Sequence, residues 1–193
     1  MSPDEPAMAM TACAMGLQPQ VGLERPFFKS PFDGGEEPAR IGPVRLGFDH
    51  LVGDRLRPIP DEGMVLQLGG SPLVIIPAHF LHSCGNFHVY DPVSKIYYSG
   101  DLGASLGQTG REVQDFDAHV RFMEGFHRRY MASGRMMRAW VEMVRGLEID
   151  VIAPQHGAVF VGRELVRRFL DWCAGLECGI DLIADRLKVP AWR

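Results

Sequence analysis

The segment "PAHFLHSCGNFHVYDPVSKIYYSGDLG" holds three histidines, His79, His82 and His88, and one aspartate, Asp101. Further on, "IDVIAPQHG" ends on His156 and Gly157. His82 follows the apolar run "PLVIIPAHFL", Asp101 follows "KIYYSG" and His156 follows "IDVIAPQ". Each of these side chains therefore comes just after a predicted buried strand, and strand ends present side chains from a rigid scaffold at a shared rim. Two neutral imidazoles and a carboxylate are a usual donor set for zinc or non-haem iron. Asp101 could serve two ions, because each of its oxygens can bind one. The same residues also have an ordinary reading. A histidine after a strand can be a hydrogen-bonded rim residue, and the aspartate of "SGD" can cap a turn. Spacing alone does not choose between them.

The elements that must position these residues can be read from periodicity. "MVLQL", "PLVIIP", "FHVYD", "KIYYS" and "IDVIAP" are short β-type runs. "YDPVSKIYY" reads as a hairpin with Asp-Pro at its turn. Apolar residues then recur at helical spacing, as Phe116, Val120, Met123, Phe126 and Tyr130, and again as Met137, Trp140, Val141 and Val144. The run "ELVRRFLDWCAGLECGIDLIADRL" is expected to close the chain as helix. Residues 1–18 read as a short helix, residues 19–62 as a long Pro- and Gly-rich loop region, and residues 63–193 as the strand and helix core. All of them are assigned to one domain spanning 1–193. Strands paired mostly as hairpins and covered by helices predict an α+β fold rather than a doubly wound one.

Composition narrows the function classes. The 193 residues carry a formal net charge of −4, with 46% hydrophobic and 23% charged residues, the profile of a soluble globular protein. The basic residues are dispersed, so no nucleic-acid partner is expected. No apolar run reaches the ~20 residues of a bilayer span. The acidic start lacks the basic end of a signal peptide, and the four cysteines form no CxxC pair. A reducing, cytoplasmic location is the expectation. There is no GxGxxG opening a helix and no Walker A sequence.

Taken together, "HSCGN", "SGD" and "PQHG" resemble the successive motifs of the metallo-β-lactamase-fold superfamily. "HFLHS" and "IDVIAPQHG" look closest to its flavodiiron proteins and the stand-alone oxygen-binding diiron proteins related to them. The resemblance spans roughly residues 61–170. It implies an αββα sandwich, with His82 and His156 as metal ligands and Asp101 as the bridging ligand. It also implies two iron ions as cofactor, with zinc as the alternative, and dioxygen or nitric oxide as ligand. No flavodoxin domain and no FMN site are expected, so turnover would need an external electron-donor protein; a homo-oligomer is also implied.

One family feature is missing. No sequence of the type H-x-[HED]-x-D-H exists in the chain. The nearest relic is "SPDEP", in which Asp4 stands where the second ligand should be, while Ser2 and Pro6 replace ligands. That alignment implies loss of the N-terminal strands of the fold. His79 is expected to orient a ligand or line the pocket, and Phe80 to keep it dry. His50, beside Asp49, is a remote substitute donor. His119 and His127 read as helix packing or a dimer contact, His88 as an exposed strand residue, and Trp140 and Trp172 as core. Three functions follow as alternatives: a diiron protein that binds or reduces a diatomic gas, a zinc hydrolase, or a metal-poor interaction module.

Overall fold

The structure is a computed structural model that describes residues 59–107 and 110–192. The unit that begins at Gly63 contains a six-stranded sheet in the order β1-β2-β3-β4-β5-β6. Its strands are β1 (Met64–Leu68), β2 (Ser71–Pro77), β3 (Phe87–Asp91), β4 (Ile96–Tyr98), β5 (Val151–Ala153) and β6 (Phe160–Val161). The helices are α1 (Phe116–Tyr130), α2 (Gly134–Val144), α3 (Arg163–Gly175) and the single turn α4 (Ile180–Ile183). Among the described residues no helix is long and apolar enough to cross a membrane.

The first four strands form successive antiparallel hairpins, and β5 joins β4 in parallel after the chain crosses through α1 and α2. The β3–β4 turn is the expected one. The Asp91 carboxylate accepts from the backbone N–H groups of Val93 and Ser94, at 2.9 and 3.3 Å, which closes the turn around Pro92.

Register fixes which face meets the helices. Ile76 pairs with His88, Tyr90 with Tyr97, Tyr97 with Ile152 and Ile152 with Phe160, so these residues share one face. All of them are buried, in one core with Met123 of α1, Met137, Trp140 and Val141 of α2, and Phe169 of α3. Truncating a fully buried residue such as Phe169 would cost roughly 3–5 kcal/mol. α1 and α2 start on the side-chain caps Asp115 and Ser133.

The predicted strands and the helices α1 and α2 appear where periodicity placed them; the helix expected over residues 1–18 and most of the loop region 19–62 lie outside the described residues. Two expectations are corrected. The closing helix is not continuous: α3 ends at Gly175, and residues 176–179 break it before α4. Gly179 sits at φ +54°, and a Cβ there would collide with the carbonyls of Met131 and Ala132, so the chain must leave helical geometry to dock on the end of α1. His88, expected to be exposed, is fully buried. It does lie opposite in parity to Phe87 and Val89, but its face is the one the helices cover.

Candidate metal centre

Topology brings the three strand-end residues together. β2 and β4 each flank β3 antiparallel, and β5 runs parallel to β4, so the C-terminal ends of β2, β4 and β5 lie at one end of the sheet. His82, Asp101 and His156 leave from those three ends. His82 Nε2 lies 3.4 Å from Asp101 Oδ2, and His156 Nε2 lies 3.5 Å from Asp101 Oδ1. The carboxylate thus faces a different imidazole with each oxygen. Its side chain is 19% exposed, against 32% for His82 and 59% for His156, so the cluster opens towards solvent on the His156 side.

The His82 loop carries backbone strain. Phe80 and His82 both have positive φ, +64° and +85°. Such a conformation costs a non-glycine residue about 1–3 kcal/mol, and it persists only where its surroundings over-determine it. Here they do. Leu81, between the two, is fully buried. Its N–H donates to the Ala78 carbonyl at 3.0 Å and Phe80 N–H donates to the Ser83 carbonyl at 2.8 Å. Asn86, from "HSCGN", closes the loop. Its backbone carbonyl accepts from Ala78 N–H, and its amide Nδ2 donates to the Leu81 carbonyl at 2.7 Å.

Behind Asn86 runs a buried polar chain. Asn86 Nδ2 lies 3.3 Å from His88 Nε2, His88 Nδ1 lies 3.1 Å from the Tyr97 hydroxyl, and Trp140 Nε1–H donates to that hydroxyl at 2.9 Å. Because Nδ2 is a donor, His88 Nε2 is the acceptor and Nδ1 carries the proton. Burial holds the His88 imidazole down at about 3 and pushes the Tyr97 phenol up, so both stay neutral at ordinary pH.

The Asp101 turn is closed by its own "SGD" sequence. The Ser99 hydroxyl donates to the Leu102 carbonyl at 2.5 Å, and Leu102 N–H donates back to the Ser99 carbonyl at 3.0 Å. Gly100 supplies the left-handed residue, with φ +55°.

The His156 loop is pinned against the same segment. Gln155 N–H donates to the Gly100 carbonyl at 2.7 Å, Ser105 N–H to the His156 carbonyl at 3.2 Å, and Ala158 N–H to the Ser105 hydroxyl at 3.1 Å. Asp101 and His156 are thereby held on one hydrogen-bonded frame.

The three side chains would supply two donors to each of two ions, fewer than the three or four of a stable site, but they are also poorly placed to hydrogen-bond one another. Separations of 3.4 and 3.5 Å are long for a nitrogen–oxygen hydrogen bond, and Asp101 Oδ1 is a buried oxygen with no hydrogen-bond partner. Two donors that each bind one ion at ~2.1 Å, at a tetrahedral angle, stand about 3.4 Å apart. Among the described residues, no group of three or more His, Cys, Asp or Glu side chains is arranged to hold a single ion. The cluster is instead two pairs of donors that share Asp101.

The remaining candidates fall as follows. His79 packs edge-on to Phe87, with ring centroids 5.0 Å apart. Asp4 and His50 lie outside the described residues. His119 and His127 are both buried on the inner face of α1. Phe80 is 40% exposed. The rings stacked on His82 are Phe126 and Tyr130, at 5.9 and 5.6 Å with interplanar angles of 25° and 11°. Helical spacing placed both on the apolar face of the helix, where Phe126 is half-buried but Tyr130 is exposed, and it carried no signal of that stacking.

Residues 46–157 match the family described as "ODP family beta lactamase". A solved structure of a chemotaxis sensor ODP with a peroxy diiron species is 45% identical, covering 72% of this chain and 62% of that one, with a TM-score of 0.67. The apo state of the chemotaxis sensor ODP from T. denticola is 47% identical, covering 69% and 57%, with a TM-score of 0.65. The chain therefore spans less than two thirds of the length of either. Rubredoxin oxygen:oxidoreductase from Desulfovibrio gigas shares the fold, at 16% identity over 58% of this chain and 30% of that one, with a TM-score of 0.54. A comparison with curated proteins gives no match.

Proposed function

This chain belongs to the ODP family of beta-lactamase-fold proteins, and from that premise we propose that it is a non-haem diiron protein that binds dioxygen. The observation that carries the reading is the division of the Asp101 carboxylate, Oδ2 towards His82 and Oδ1 towards His156. In this reading His82 and His156 would each hold one iron, with Asp101 shared between the two. Bound there, the two irons would supply a site for a diatomic ligand between them. Phe126 and Tyr130, stacked on His82, limit how far that imidazole can swing and shield its apolar side from water. A neutral imidazole and a shared carboxylate also leave less negative charge on the pair than two separate carboxylates would. Reduction of dioxygen or nitric oxide would draw electrons from an external donor protein; binding alone needs none.

The test is colour after defined loading. Protein freed of metal is loaded anaerobically with Fe(II), analysed for iron, and then exposed to air. About two equivalents of iron per chain, with near-ultraviolet and visible absorption appearing on exposure, support the proposal. Retention of zinc in preference to iron, with hydrolysis of an ester or thioester, would favour the zinc hydrolase of the same fold. Failure to hold either metal would leave a non-catalytic family member.

A further inference from the structure

The C-terminal turn of α1 reaches His82 and the backbone just after Asp101. On the Asp101 side, Gly103 N–H donates to His127 Nε2 at 2.8 Å. The other ring nitrogen, Nδ1, lies 2.8 Å from the Met123 carbonyl oxygen. A carbonyl can only accept, so Nδ1 carries the proton and Nε2 is the bare acceptor. One tautomer satisfies both bonds, and the imidazole is fully buried. Phe126 and Trp172 meet the ring at 5.3 and 5.1 Å, each nearly perpendicular to it. Gly103 has no room for a side chain. It sits at φ +97°, and a Cβ there would lie 2.8 Å from Pro154 Cγ, on the segment that leads to His156.

On the His82 side the same turn provides Phe126 and Tyr130, stacked on the imidazole. Just beyond it, Ala132 N–H donates to the Phe80 carbonyl at 3.1 Å, and Met131 bridges to Leu81. Residues 126–132 thus hold the strained His82 loop by stacking and backbone pairing. From α1 the Asp101 turn receives one side-chain hydrogen bond, the one that His127 accepts from Gly103.

We propose that His127 is a positioning residue of the metal centre: by accepting the Gly103 N–H it sets the Asp101 carboxylate at the right distance from the His82 imidazole, which stacks on the same helix end. The proposal rests on the metal reading above and deepens it. His127 touches no ion in this account. It acts only through the backbone two residues after Asp101. A buried histidine that merely filled space would cost stability when replaced, without any selective effect on the ion.

Those roles separate in a Co(II) titration of the metal-free full chain, followed by visible absorption, with thermal melting measured in parallel. His127→Phe keeps the ring's bulk and removes the acceptor. His127→Gln can place its amide oxygen near the Nε2 position and accept the same N–H. The expected result is Co(II) affinity about 10- to 100-fold weaker in His127→Phe, as for other residues that orient ligands from behind, and mostly restored in His127→Gln. Both variants should melt below the wild type. If His127→Phe does not fold, His127→Asn takes its place, since its oxygen reaches only the Nδ1 position. Wild-type affinity in the acceptor-less variant, or no recovery in His127→Gln, would overturn the proposal. A wild-type protein that binds no Co(II) would overturn the metal reading itself, and the proposal with it.

Discussion

Ser105 occupies the space that a side chain at Gly157 would need: a Cβ there would fall within 3 Å of the Ser105 hydroxyl, carbonyl oxygen and amide nitrogen. Gly157 also sits at φ +92°, a conformation open mainly to glycine. The glycine of "PQHG" is therefore what lets the His156 loop close against the segment after Asp101. Gly157→Ala should cost about 2–3 kcal/mol of stability by overpacking. It should also displace His156 and weaken metal binding. Denaturant unfolding with a parallel metal titration checks both effects. Unchanged metal affinity would show that this close approach does not set the His156 position.

Asn86 should matter to His82 although it touches no ion. Asn86→Ala leaves the Leu81 carbonyl and His88 Nε2 without their donor, at a cost of about 1–3 kcal/mol for buried unpaired groups. It also releases a loop that holds two left-handed residues. Weaker metal binding together with lower stability is the expected outcome. His88→Ala, harmless if the residue were exposed, is now expected to act in the same direction, because it removes the support behind Asn86.

Two buried imidazoles make the metal-free protein acid-sensitive. Burial holds His88 down at about 3 and His127 at about 4, below the ordinary value of 6.5 that each regains on unfolding. Between about pH 6.5 and those values the unfolded chain binds protons that the folded chain does not. Stability is therefore full above pH 6.5 and falls with acid, by up to about 1.4 kcal/mol per pH unit for each histidine. Urea unfolding of metal-free protein from pH 7.5 to 5 should show this slope. His127→Gln should make it shallower. An unchanged slope in that variant would mean that His127 is not neutral in the folded protein.

The ligand set should respond unequally to single substitutions. His82→Ala and His156→Ala each remove the imidazole of one pair, so each should lower metal content while leaving the other pair in place. Elemental analysis of both variants checks this. Loss of both ions in either variant would indicate a strongly cooperative centre instead.

Much of this arrangement was legible in the sequence, for physical reasons that also mark where the reading failed. Alternation and helical spacing found the strands β1 to β5 and the helices α1 and α2 because a half-buried element must repeat apolar residues on one face. The motifs "HSCGN", "SGD" and "PQHG" named His82, Asp101 and His156 through a family resemblance, and the structure brings those side chains together; Gly100 and Gly157 meet left-handed backbone in two of the motifs, whereas in the first the left-handed residue is His82 itself. Strand parity told that His88 lies opposite Phe87, but not which face the helices cover; its burial depends on Tyr97 and Trp140, distant in sequence. The break after α3 was hidden because "LECGIDLI" keeps an apolar rhythm while the chain turns to dock at Gly179. β6, only two residues long, is too short to show a period. The role of residues 126–132 was invisible for a similar reason: periodicity names a buried face, not what lies against it.

The most direct test of the shared carboxylate is the iron stoichiometry of Asp101→Ala beside that of the wild type, after anaerobic loading of each with Fe(II) and removal of excess. The account predicts about two equivalents for the wild type and close to none for the variant, since each imidazole would be left without the oxygen that faces it. An Asp101→Ala protein that still holds two irons would contradict it.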